Sequence, residues 1–166
     1  MYRTLKLEIK GAVATVALNR PEARNAMSAA LMREMIACAG AIATIAVYEE
    51  DNLIENARRM GEVMRGLLKD LQDRHPSVGA TRNIGLFGIV EVVRNRETRE
   101  PMAPFNGTSP EMQELGKFFR AEGLYTFVRW NTFFTNPPLC ITESELRDGF
   151  AIIDRGLALT DEAVAP

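Results

Sequence analysis

Cysteine is scarce in this 166-residue chain, occurring only at positions 38 and 140. Two thiols exclude a disulfide scaffold, and Cys38 and Cys140 read as buried thiols of a reducing compartment. Histidine occurs once, as His75, so no recognised spacing of metal ligands exists. Neither sign of charge dominates: the net charge is -2, which excludes the basic field of a nucleic-acid or membrane binder. No apolar run reaches the roughly 18 residues of a membrane span. Lys6, Glu8 and Lys10 interrupt any signal-peptide core, and a cytoplasmic location is expected. The chain has no Gly-x-Ser-x-Gly elbow and no phosphate loop. Gly85-Leu-Phe-Gly88 is spaced wrongly for a dinucleotide and falls inside an expected strand. There is no internal repeat and no low-complexity tract.

What is present is ordinary globular composition, 46% hydrophobic and 25% charged. A chain of this length buries about two-thirds of its unfolded surface without staples. Its two ends differ. Residues 1–36 carry six basic and three acidic side chains, and the remainder carries 14 basic and 19 acidic ones.

Leu5, Leu7 and Ile9 alternate with Lys6, Glu8 and Lys10, and Gly11 breaks the pattern before Val13–Leu18. The alternation predicts a β-hairpin. Asn19-Arg20-Pro21 ends it, and Ser28 caps a helix carrying Leu31, Met32, Met35 and Ile36. An Ala- and Ile-rich helical stretch runs from Ala37 to Tyr48. A helix follows from Leu53, with Ala57, Met60, Met64, Leu67, Leu68 and Leu71 recurring at steps of three and four. His75-Pro76 ends it, and His75 reads as a capping or surface residue.

Ile84–Val93 reads as one buried strand and Arg94–Gly107 as a loop. Ser109-Pro110-Glu111 starts a helix that ends at Gly123. Leu124–Trp130 and Phe133–Ile141 read as strands around Asn131, the second weakened by Pro137-Pro138. Thr142 and Glu145 form a capping box before a stripe of Leu146, Phe150, Ile153 and Leu157. Residues 160–166 read as a frayed tail. The fold class is α+β: an N-terminal β-hairpin, long helices, then a small sheet packed by helices.

Leu18-Asn-Arg-Pro-Glu-Ala-Arg-Asn-Ala-Met27, with the hairpin before it, resembles the opening of the crotonase (enoyl-CoA hydratase) superfamily. The likeness covers residues 1–36, the first expected domain. In that family this loop helps to hold coenzyme A, which makes Arg24, Asn25 and Ala26 candidate CoA contacts.

Residues 37–166, the second expected domain, resemble the C-terminal part of class III (omega-type) PLP-dependent aminotransferases. Tyr48-Glu-Glu-Asp-Asn-Leu-Ile-Glu-Asn-Ala57, Ile84-Gly-Leu-Phe-Gly-Ile-Val-Glu91 and Thr135-Asn-Pro-Pro-Leu-Cys-Ile-Thr-Glu143 carry the resemblance. It is closest to enzymes acting on taurine or similar amines with pyruvate. The implied fold is the small domain of fold-type I aminotransferases with its interdomain helix. The two likenesses together describe a join, which a gene fusion, an assembly error or a deliberate chimera would each produce.

The resemblance implies a PLP enzyme as parent, transferring an amino group from an amine or amino acid to a keto acid. PLP chemistry needs a Schiff-base lysine, an acid at the pyridinium nitrogen and a phosphate cup. None of Lys6, Lys10, Lys69 and Lys117 occupies the family's Schiff-base motif. No catalytic residue, metal ligand or cofactor is therefore expected in this chain, and no catalysis by it alone. Arg129 matches the family's carboxylate-binding strand region, where a planar guanidinium fork pairs with both oxygens of a small carboxylate. Trp130 beside it is a candidate substrate contact. Phe133 and Phe134 either line a pocket or belong to the core. Apolar surface on residues 37–48 implies a homo-oligomer. The alternatives are a non-catalytic binding or oligomerisation module and a crotonase-type acyl-CoA-binding remnant.

Overall fold

The computed structural model describes residues 3–10 and 13–164. The expected break at Gly11 and the last two residues of the expected tail lie outside the described residues. The chain forms two compact units, Met1–Asp51 and Asn52–Pro166. The expected domain boundary at residues 36 and 37 falls inside the helix that closes the first unit.

In that unit, β1 (Leu5–Lys10) pairs antiparallel with β2 (Val13–Leu18), Leu5 opposite Leu18 and Lys10 opposite Val13. A single 3-10 turn (Pro21–Ala23) leads to α1 (Ala29–Glu50). The Ser28 hydroxyl accepts from the Leu31 amide at 3.2 Å, as a capping serine should. The Glu34 carboxylate ties hairpin to helix, accepting from the Arg3 and Thr4 amides at 2.9 Å and from the Thr4 hydroxyl. The Thr4 hydroxyl, then the Arg3 amide, hold that carboxyl below its usual range. Leu5 and Leu31 are buried, whereas Ile36, Ile42 and Ile45 are exposed.

By length and composition α1 is the one helix among the described residues long and apolar enough to cross a membrane. No run of that length was expected from the sequence, and Arg33 and Glu34 do interrupt the helix near its start. Residues 35–48 nonetheless hold no charged side chain.

The second unit opens with α2 (Leu53–Arg74), whose buried residues Met60, Gly61, Met64, Leu68 and Leu71 follow the expected stripe. A sheet follows in the order β3 (Val78–Ile84), β4 (Phe87–Asn95), β7 (Thr132–Thr135), β6 (Val128–Arg129), every pair antiparallel. The short β5 (Glu100–Pro101) pairs with β4. Between them in the chain lies α3 (Pro110–Ala121), and α4 (Glu143–Asp161) closes the unit. Ser109 and the Thr142–Glu145 capping box start these helices as their spacing predicts.

One core joins the three helices to the sheet. Gly88, Val90 and Val92 of β4 and Phe133 of β7 meet Met64 and Leu68 of α2, Leu115 and Phe119 of α3, and Phe150 and Leu157 of α4. Each large side chain buried there contributes about 1.5–3 kcal/mol relative to exposure. Alternate residues of β4 point away, leaving Phe87 exposed and Ile89 and Glu91 half-buried. The fold is α+β, with strands and helices in the places expected for its core.

The departures are local. The single strand expected over Ile84–Val93 is interrupted by a turn at Gly85, which takes φ +53°. Gly85 is thus in a turn rather than inside a strand, and β3 before it had no apolar alternation to announce it. The strands expected over 124–130 and 133–141 shrink to Val128–Arg129 and Thr132–Thr135. Pro137 and Pro138 have no amide hydrogen to continue a ladder. The expected loop 94–107 contains β5. The tail is helical to Asp161, and Thr160 is fully buried. Both cysteines were expected to be buried, but Cys140 is exposed and Cys38 half-buried. The carbonyls on either side of Cys140 accept from the Asn56 side chain at 2.7 and 3.0 Å, which pins the backbone and leaves the thiol outside.

Candidate functional site

Arg129 and Trp130 stand together at the β6–β7 turn. Arg129 pairs with Thr132 across it, and Trp130 is the first of the two turn residues. Trp130 takes φ +55°, a left-handed conformation that a bulky residue adopts only where its surroundings hold it. Those surroundings are visible. The Asn131 carbonyl accepts from the Val92 amide at 2.7 Å, and the Thr132 hydroxyl donates to the Arg129 carbonyl at 2.8 Å. The half-buried Trp130 ring lies 4.3 Å from the ring of Phe105, itself 76% exposed. The Arg129 guanidinium sits 4.3 Å above the Trp130 ring, a cation–π contact. Among the described residues Arg129 has no carboxylate partner and makes no side-chain hydrogen bond.

A second feature lies in the same unit. A cavity of about 610 Å³ opens between the end of the sheet and α4. Phe87, Phe127, Phe134 and Phe150 are among its lining residues, with Thr126, Asn136 and Pro137 at its end. Neither Arg129 nor Trp130 lines it. The ambiguity over the two phenylalanines resolves position by position: Phe133 belongs to the core, while Phe134 stacks on Phe87 at 5.7 Å and lines the cavity.

The crotonase-side candidates share one loop in the first unit. The Asn25 side-chain oxygen accepts from the Arg20 amide at 2.8 Å, and the Ala26 carbonyl accepts from the Arg20 guanidinium at 2.7 Å. Arg24 is exposed. No group of three metal-ligating side chains converges among the described residues.

The sequence model of the family described as Aminotransferase class-III matches residues 9–157. This chain belongs to the class-III aminotransferase family. A taurine–pyruvate aminotransferase of Bilophila wadsworthia is 32% identical over 130 residues, 75% of this chain and 28% of that protein. An ethanolamine-phosphate phospho-lyase homolog of Caenorhabditis elegans is 32% identical over 126 residues, 75% of this chain and 26% of that protein. Among solved structures, a taurine:2-oxoglutarate aminotransferase of Bifidobacterium kashiwanohense, in complex with PLP and glutamate, superposes with a TM-score of 0.72. It shares 31% identity over 78% of this chain and 29% of that one. The structural neighbours are thus fold-type I aminotransferases, and this chain spans about a quarter of the length of the relatives it matches.

Class-III aminotransferase chemistry uses PLP, and the side chains present here can be tested against it. An internal Schiff base needs a lysine inside a pocket. Lys6, Lys10, Lys69 and Lys117 are all exposed, the last three paired with Glu8, Asp73 and Glu114. None lines the cavity. These residues do not fit the cofactor's covalent anchor.

The family resemblance singled out Arg129 and Trp130 but not their neighbour Phe105, an exposed aromatic residue in a loop, which carries no periodic signal. The cavity was also missed, because Leu124–Phe127 reads as strand. Its residues are instead extended chain, held where the Thr126 hydroxyl donates to the Phe134 carbonyl.

Proposed function

We propose that this chain is the carboxylate-recognising C-terminal part of a class-III aminotransferase and does not transaminate by itself. The observation that carries this reading is the Arg129 guanidinium, stacked on Trp130 and free of any acidic partner among the described residues. A planar guanidinium fork held over an aromatic ring can pair with both oxygens of one carboxylate. Trp130 is the only tryptophan, so its fluorescence reports the site. Titration with 2-oxoglutarate should change that fluorescence saturably in the wild type and not in Arg129→Gln. An unchanged response in Arg129→Gln would remove the carboxylate role.

The non-catalytic half of the proposal rests on the four exposed lysines. Addition of PLP followed by borohydride reduction and peptide mapping should give slow labelling spread over several of them. Stoichiometric trapping on one lysine would show an anchor site and overturn it. PLP belongs, in this reading, to the parent enzyme.

The exposed Ile36, Ile42 and Ile45 of α1 support a homo-oligomer, and a monomer in light scattering would count against it. The chain is proposed to be cytoplasmic and to bind no nucleic acid. Crotonase descent of residues 1–36 rests on the hairpin and the Leu18–Met27 motif, and the family match from residue 9 overlaps both. Absence of heat on titration with an acyl-CoA would leave Arg24, Asn25 and Ala26 without a ligand.

A further inference from the structure

The cavity beside α4 differs in chemistry from the Arg129 site, which does not line it. Its walls are mainly aromatic and aliphatic, with Thr126, Thr135 and Asn136 as uncharged polar members, Phe127 and Phe134 ring to ring at 5.5 Å, and the exposed Tyr125 among them. Its volume of about 610 Å³ falls in the range of small-molecule sites. One charged side chain lines it, the carboxylate of Glu145. No lysine or arginine lines it, so an anionic ligand would meet repulsion with no counter-charge. A neutral ligand would fill the walls but leave the carboxylate unused.

We propose that this cavity binds a small hydrophobic amine, its apolar body among the phenylalanines and its ammonium group facing Glu145. Aromatic faces attract cations through their quadrupoles, so walls and carboxylate favour the same charge. Glu145 is fixed for the role. It closes the capping box of α4, accepting from the Thr142 amide at 2.9 Å and the Thr142 hydroxyl at 2.7 Å. These bonds hold the carboxyl below its usual range, so it stays charged through mildly acidic pH.

Two substitutions test the site without unfolding the chain. Gly149 lies on α4 in the cavity wall, and a Cβ there meets only Leu124 Cδ1, at 3.9 Å. Gly149→Leu therefore fills the cavity while improving helix propensity. Glu145→Gln removes the charge, and glutamine serves the same capping-box position.

The experiment is calorimetric titration of the full chain with phenylbutylamine, phenylbutanol and phenylbutyrate. The amine should bind saturably and about threefold more tightly than the alcohol, the scale of one exposed charge contact plus a cation–π term. The carboxylate should bind more weakly than either. Glu145→Gln should erase the preference of amine over alcohol, and Gly149→Leu should abolish binding of both. Absence of saturable binding, equal affinities for all three ligands, or binding that survives Gly149→Leu would each overturn the proposal. So would a dimer that Gly149→Leu dissociates, since the cavity would then hold a second copy of the chain.

Discussion

Gly61 and Gly85 meet where α2 passes the β3–β4 turn: a Cβ on Gly61 would stand 2.6 Å from Gly85 Cα. The Asn83 side chain straddles the contact, donating to the Gly61 carbonyl at 2.9 Å and the Gly85 carbonyl at 2.8 Å. In an isolated helix Gly61→Ala would gain about 1 kcal/mol of propensity. Here the methyl group strikes backbone, which has no rotamer to yield. Overpacking costs about 1–3 kcal/mol, so the net expectation is destabilisation. Urea unfolding followed by circular dichroism checks it. A more stable Gly61→Ala would mean that the turn moves away freely. Gly66, with open space around it, is the control and should gain from alanine.

His75 supplies the second prediction. The residue is 8% exposed, and its ring lies between two carboxylates, Nδ1 at 2.6 Å from Asp161 and Nε2 at 2.8 Å from Asp154. Asp161 also accepts from the Ser77 amide at 3.0 Å and its hydroxyl at 2.6 Å, so the end of α2 is tied to the end of α4. The Arg96 guanidinium completes the junction by donating to the carbonyls of Gln72, His75 and Val78. His75→Ala removes one hydrogen bond from each aspartate, while Arg74 and Ser77 remain as partners, and should cost about 1–3 kcal/mol. Hydrogen exchange should show the loss concentrated in the last turn of α4. An effect below about 0.5 kcal/mol, the size of an ordinary surface change, would contradict it.

Core and caps were legible because each depends on residues close in sequence. The α2 stripe and the Ser28, Ser109 and Thr142 caps stood out from spacing alone. The β3–β4 turn did not, because Gly85 is set by Gly61, a contact across 24 positions that no local period encodes. His75 was legible as a helix terminator, yet its two aspartates lie on a helix far along the chain. Arg129 and Trp130 were singled out only by a family resemblance, and nothing local to them predicted Phe105 as their neighbour. The cavity was invisible for a related reason: its walls come from β4, the segment after α3 and α4.

Acid should weaken the α2–α4 junction in a defined direction. Burial raises the Asp154 pKa, but the hydrogen bonds from His75 and Arg74 outweigh it and hold the carboxyl below its ordinary range. A carboxyl depressed in the folded state contributes stability that is complete above its unfolded pKa of about 4. That contribution is lost as pH falls through the lower, folded pKa. Between pH 5 and about 2.5 the melting temperature should therefore fall further for the wild type than for Asp154→Asn, and the two curves should converge at the acid end. Parallel curves would mean that Asp154 titrates as it does in the unfolded chain.

Trp130→Gly separates the turn's architecture from its binding surface. The left-handed conformation at Trp130 costs about 1–3 kcal/mol, which glycine escapes. Against that stand the entropy of glycine, about 0.5–1 kcal/mol, and the aromatic pair with Phe105, about 0.5–1.5 kcal/mol. These opposing changes nearly cancel, so the urea midpoint should stay close to that of the wild type. Arg129, however, loses the ring on which it lies and with it a cation–π contact of about 0.5–1 kcal/mol. Freed to sample more rotamers, the guanidinium should bind 2-oxoglutarate several-fold less tightly by calorimetry. Retained affinity with a lower urea midpoint would assign Trp130 to the turn alone. The expected opposite, lost affinity with stability kept, identifies the Trp130 ring as the platform that holds Arg129 in place.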